Sequence, residues 1–165
     1  IPSSGTMTIK GKIVKLTSMR KSIARHMVKS VIDAPHVTAV FEADFSAIMA
    51  HRKKHKKNFA EKGTNLTYTS YIVAAAAAAL TEVPEVNSSF KGDHIEIYED
   101  LNIGVGTSLE GKGLIVPVVK RAQDLDLFRL ASTLQDLTER ARLGKLSQED
   151  VKGGTFSISN HQEMT

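Results

Sequence analysis

Thr155, Ser157 and Ser159 alternate with Phe156 and Ile158 in the stretch Gly153 to Asn160. Alternation of this kind predicts a half-buried strand with three hydroxyls on one face. A hydroxyl fixed on a strand donates one hydrogen bond to charge developing on a reacting carbonyl oxygen, a task that depends on rigid placement more than on reactivity. The same eight residues also describe an edge strand with a solvated Ser/Thr face, so their meaning depends on the rest of the chain. A second cluster is the basic run His51 to Lys57. His51 and His55 stand four apart, the spacing of two metal ligands on a helix, but the neighbouring cations repel a metal and no third ligand is near in sequence. A solvated basic face is the expectation, with no metal. Gly104-Val105-Gly106 resembles part of a dinucleotide fingerprint, yet an apolar strand and not a helix follows it. Those glycines are read as points where another backbone or a ligand approaches closely.

The elements that must position these groups follow from periodicity and caps. Ile1 to Gly11 lacks periodicity and reads as an arm or linker remnant, which is extended to residue 15 as a boundary; residues 16–165 are taken as one domain. Thr17 or Ser18 caps a helix ending before Pro35, whose Ile23, Met27 and Val31 stripe, like Met19, is expected in the core. His36 to Ala43 alternates as a strand. Asp44 or Ser46 opens a second helix with Phe45, Ile48, Met49 and Phe59 inward and the basic run outward. Thr67 to Ser70 caps a helix running through six alanines, Ala74 to Ala79, and expected to be buried. Asn87-Ser88-Ser89 is expected to turn into strands over 94–98, 101–107 and 114–119. A last helix from about Asp126 to Arg142 buries Leu127, Leu130, Leu134, Leu137 and Ala141 and ends at Gly144. A mixed α/β sheet covered by helices is the economical architecture.

Composition narrows the classes. With 165 residues, 41% of them hydrophobic, the chain is the size of one domain with a sizeable core. It has no apolar run long enough to cross a membrane, and a soluble protein is expected. The absence of cysteine excludes disulfides, thiol nucleophiles and Cys-ligated metal sites. A formal net charge of +4 points to an anionic partner, but with 5% aromatics and no recognisable binding module, nucleic acid is not the partner expected.

Several segments together resemble one family, the catalytic domain of the dihydrolipoamide acyltransferases, which are the E2 components of 2-oxo acid dehydrogenase complexes. They are Met19 to Ala24, Ala34 to Thr38, Asp44 through Lys53, Leu66 to Thr69, Pro84 to Asn87, Asn102 to Val105, Gly113 to Pro117, Gly144 to Leu146 and Gly153 to Asn160. The resemblance implies a mixed-sheet two-layer sandwich like chloramphenicol acetyltransferase, assembled as homotrimers that build a larger core. It implies acyl transfer between dihydrolipoamide and coenzyme A, with the lipoyl group carried on another domain and with E1 and E3 components as partners. Ser159 falls on the position that stabilises the oxyanion; Arg52, Thr67, Ser108 and Asn160 fall on positions lining the coenzyme A channel. The Ser108 match is offset, because Leu109 to Lys112 is one residue longer than in some relatives.

The catalytic base of the family sits in a His-x-x-x-Asp-Gly motif. None of the six histidines here is followed by Asp at that offset, and His161 does not stand where the motif places the base. The chain is therefore expected to be the N-terminal part of such a domain. A non-catalytic scaffold that forms the trimeric core is the alternative. The acyl group stays open between acetyl, succinyl and branched-chain, and the expected location is bacterial cytoplasm or mitochondrial matrix.

Overall fold

A computed structural model of the chain describes residues 11–109 and 113–160. It falls into two compact units, Ile1–Phe41 and Glu42–Thr165. In the first, Thr17 caps helix α1 (Ser18–Asp33) by accepting a hydrogen bond from the Arg20 amide. The helix is where its cap and Pro35 predict, but its apolar stripe is not core. Met19, Ile23, Met27 and Val31 are all more than half exposed. The unit's described residues supply no second element to cover them. Residues 36–43 form no strand: Val37, Val40 and Phe41 lie exposed on backbone without regular secondary structure. Alternation specifies an extended chain, whereas a strand also needs a partner for its N–H and C=O groups.

The second unit carries the core. Helix α2 (Ser46–Glu61) starts after Phe45, and the Asp44 carboxylate accepts from the Ser46 amide at 2.8 Å. Ile48, Arg52, His55 and Phe59 are half-buried, and Lys53, Lys54, Lys56 and Lys57 face outward as expected. Met49 is exposed, contrary to expectation. Helix α3 (Tyr68–Glu82) is capped by Thr67 and buries Ser70, Val73, Ala77 and Leu80. That three-and-four spacing selects one face, so Ala75, Ala78 and Ala79 remain exposed and the helix is only half sunk. Helix α4 (Leu127–Arg142) is capped by Asp126, buries Leu130, Ala131, Leu134, Leu137 and Ala141, and ends at Gly144 with φ +66°. Leu127 is half-buried.

The strands are shorter than alternation predicts. Strands β1 (Ser88–Phe90) and β2 (Ile95–Ile97) form an antiparallel hairpin, which places Ser88 and Ser89 in a strand where a turn was expected. Strand β3 (Ile103–Val105) is interrupted at Gly106 before β4 (Thr107–Ser108). The apolar run that follows is split between β5 (Leu114–Ile115), which pairs with β4, and β6 (Val118–Val119). The break falls at Pro117, which has no N–H to give to a ladder. Strand β7 (Phe156–Ile158) lies parallel to β3, which pairs on its other side with antiparallel β6, giving the mixed order β6-β3-β7. One core joins Val73, Ala77 and Leu80 of α3, Leu130, Leu134 and Leu137 of α4, Ile103 and Val105 of β3, and Val119 of β6. Each fully buried side chain of this kind contributes about 1.5–3 kcal/mol.

Strand β7 is anchored at its entry by two devices. The Thr155 amide donates to the Asn102 carbonyl at 2.8 Å, and the Asn102 amide donates back to Thr155 Oγ1 at 3.1 Å. Upstream, Arg140 of α4 grips Asp150 through both terminal nitrogens, at 2.5 and 3.0 Å, and Ser147 donates to Asp150 from its amide and its hydroxyl. The Arg140 hydrogen bonds, followed by those from Ser147, hold the Asp150 carboxyl far below the usual carboxylate range.

Because the folded-state pKa is depressed, this contribution is present above the ordinary carboxylate value of about 4 and is lost as pH falls below it. Urea midpoints measured at falling pH should therefore decline less steeply for Asp150→Asn than for the wild type; equal slopes would count against the clamp. A Cβ added at Gly104 would lie 2.8 Å from Val116 Cγ1, so Gly104→Ala should lower stability by about 1–3 kcal/mol in the same denaturation experiment.

Candidate active site

The hydroxyl of Ser159 comes one residue after β7 ends, on an exposed residue. The last ladder bond runs from the Gly106 amide to the Ile158 carbonyl at 2.9 Å. A Cβ on Gly106 would meet Ser159 Oγ, Ile158 O and Leu114 Cδ1, each at 3.7 Å. The missing side chain leaves Ser159 beside bare backbone. Ser108 is two residues along on β4, exposed and paired with Leu114. The neighbouring Glu110 to Lys112 lie outside the described residues, as does His161.

Asn160 turns the other way. Its Nδ2 donates to Thr69 Oγ1 at 3.0 Å, which ties the end of the strand to the first turn of α3. At that turn Thr67 Oγ1 accepts from the Ser70 amide and lies 3.1 Å from Ser70 Oγ, so the cap hydroxyl is occupied locally. Arg52 reaches the same turn from α2. Its Nε donates to the Leu66 carbonyl at 2.7 Å, and its guanidinium carbon sits 4.7 Å from the centroid of the Tyr68 ring. Hydrogen bond and ring fix the plane of the guanidinium, and its two terminal nitrogens make no hydrogen bond among the described residues. A planar cation held this way suits a phosphate or carboxylate.

The helix pair that carries Arg52 is joined by a second contact. His51 Nδ1 lies 2.8 Å from the Tyr71 hydroxyl with the rings edge to face, and the His55 ring stacks on His51 at 4.3 Å. Burial pushes the Tyr71 phenol upward, opposed by the nearby Arg52 charge. Among the described residues no group of three or more His, Cys, Asp or Glu is placed to hold a metal.

The structure thus brings Ser159 to Gly106, near Ser108, and Asn160 to the turn that holds Thr67 and Arg52. No side-chain hydrogen bond among the described residues joins Ser108 to the others. Sequence reasoning passed over Thr69 and Tyr68, although both lie in the Thr67 to Ser70 cap cluster. The expected close approach is found at Gly104, where the near atom belongs to the Val116 side chain and not to another backbone, while a Cβ at Gly106 would meet Ser159 Oγ at ordinary contact distance.

The family model for the 2-oxoacid dehydrogenases acyltransferase (catalytic domain) matches residues 9–164. The chain belongs to this family. It is 43% identical over 148 residues, 88% of its length, to a dihydrolipoyllysine-residue acetyltransferase component of pyruvate dehydrogenase complex from Staphylococcus epidermidis. The chain covers 34% of that relative, so it spans about a third of the length of the curated proteins it matches. Among solved structures it superposes on a probable dihydrolipoamide acetyltransferase from Listeria monocytogenes with a TM-score of 0.85 at 34% identity, covering 94% of this chain and 69% of that one. The dihydrolipoamide acetyltransferase of Azotobacter vinelandii, studied for the catalytic roles of a serine, a histidine and an asparagine, gives 0.83 at 29% identity, with 91% of this chain and 62% of that one covered. The fold of these E2 catalytic cores is the α/β mixed-sheet architecture described above.

Tyr71, its phenol pushed up by burial, should titrate above the ordinary tyrosine range. Absorbance at alkaline pH should show a high-pH phenolate component that Tyr71→Phe removes; a high-pH component left unchanged by that substitution would contradict the upward shift at Tyr71.

Proposed function

We propose that this chain is the acyl-transferring domain of a 2-oxo acid dehydrogenase complex, moving an acetyl group between dihydrolipoamide and coenzyme A. The observation that carries the reading is the exposed Ser159 hydroxyl, set against backbone at Gly106 with no side chain between them. Family membership and the acetyltransferase relatives support it.

In this reading a thiol loses its proton to a base and the thiolate attacks the thioester carbonyl carbon. The carbonyl oxygen takes up the negative charge, and Ser159 Oγ donates a hydrogen bond to it. The tetrahedral species then collapses, the other sulfur leaves as thiolate, and the proton passes back to it. The base belongs to the family's His-x-x-x-Asp-Gly motif, which is not in this sequence. Arg52, held over the Tyr68 ring, pairs with a phosphate of coenzyme A, and Thr67, Ser108 and Asn160 line the channel beside it. The second substrate is a lipoyl group carried on another domain.

Assembly follows the same reading. A solved relative is the cubic core of a pyruvate dehydrogenase multienzyme complex, superposing with a TM-score of 0.84 at 30% identity, 91% of this chain and 62% of that one. We assign this chain a place in a multimeric core of trimers that serves E1 and E3 components, in bacterial cytoplasm or mitochondrial matrix.

In the full-length acyltransferase, Ser159→Ala should lower kcat by an amount equivalent to about 2–4 kcal/mol while coenzyme A affinity is kept. Arg52→Ala should do the reverse, weakening coenzyme A binding by about tenfold or more through loss of a charge-assisted contact, with kcat largely retained. Stopped turnover assays and calorimetric titration with coenzyme A separate the two. An assembled core with no transfer activity in the wild type would instead favour a purely structural role.

A further inference from the structure

Ser159 is flanked by hydrogen bonds of the residues on either side of it. On one side the β3–β7 pairing ends with the Gly106 amide on the Ile158 carbonyl at 2.9 Å. On the other, Asn160 Nδ2 is held by Thr69 Oγ1 at 3.0 Å, across 91 residues of sequence. Thr69 is itself rigidly mounted. It sits in the first turn of α3, between the capping Thr67 and the fully buried Ser70, one turn ahead of the fully buried Val73. A donor that must meet a developing oxyanion loses its effect with small displacements, so the bonds that hold the backbone on each side of it bear on its aim.

We propose that Thr69 is a positioning residue for Ser159: through Asn160 it fixes the backbone on the far side of the serine and so aims the hydroxyl. This rests on the acyl-transfer reading above and adds a part to it. Thr69 touches neither reacting atom, and the Asn160 amide that lines the channel is spent partly on this tether.

The test uses the full-length, assembled acyltransferase, with acetyl-coenzyme A and dihydrolipoamide as substrates. Thr69→Val keeps the shape of the side chain and removes the acceptor. It should lower kcat by about tenfold or more and leave KM for coenzyme A within about twofold, and Thr69→Ser should restore most of the loss. In a Ser159→Ala background, Thr69→Val should change kcat by less than about twofold, because the group it aims is gone. Unchanged kcat in Thr69→Val overturns the inference, as does an equal loss with and without the Ser159 hydroxyl. Should Thr69→Val fail to fold, Asn160→Ala cuts the same bond from the strand side and enters the same cycle. A wild type in which Ser159→Ala has no effect on transfer would instead remove the acyl-transfer reading, and the tether with it, a result distinct from a failure of Thr69 alone.

Discussion

Strand β3 has to be narrow. It is paired on both sides, by β6 and by β7, and at Gly104 the side chain of Val116 comes so close that a single added carbon would sit 2.8 Å away. The candidate site lies beside the two positions that carry no side chain, Gly104 within β3 and Gly106 just after it. A Cβ at Gly104 would force Val116 to shift, whereas one at Gly106 would meet Ser159 Oγ, Ile158 O and Leu114 Cδ1 at ordinary contact distance and close the open backbone beside the serine. Conformational freedom is not what these glycines supply, since neither has a positive φ. Their contribution is space, and the neighbours use it from two sides.

Around that centre the helices perform a different task. Helix α3 is sunk by one face into the core while its first turn meets both Arg52 of α2 and Asn160 after β7. Rigidity is transmitted from the apolar face to the polar turn because both belong to one short helix. The alanines that follow keep the helix in register at little cost in helix propensity, while the aromatic groups, Tyr68 and Tyr71, are confined to the first turn.

Elements marked by caps and helical stripes were legible in the sequence. Thr17, Thr67 and Asp126 each cap the helix predicted, and Gly144 ends α4 as expected. Strand extents were less legible, because alternation in 36–43 and continuity in 114–119 describe local geometry, whereas pairing depends on a partner elsewhere and on Pro117. The burial of α1 was also unreadable from its pattern, since an apolar stripe says that a face is suited to cover and not that the same unit covers it. At the site, single residues such as Ser159 and Arg52 could be singled out by type and motif. The Thr69 to Asn160 bond could not, because nothing local in either segment refers to the other.

The parallel pairing of β3 with β7 also has a kinetic side. Thr155 meets Asn102 across 53 residues, and closing a loop of that length costs about 3–4 kcal/mol of chain entropy before any contact compensates it. Helices α3 and α4 need no such closure to begin forming, so local structure precedes the strand that completes the sheet. The site is then the last thing the fold acquires: until residues 155–160 are in place, Arg52 and the α3 turn have no serine to work with. During synthesis, that order brings Ser159 and Asn160 to the α3 turn only once the sheet behind them is closed.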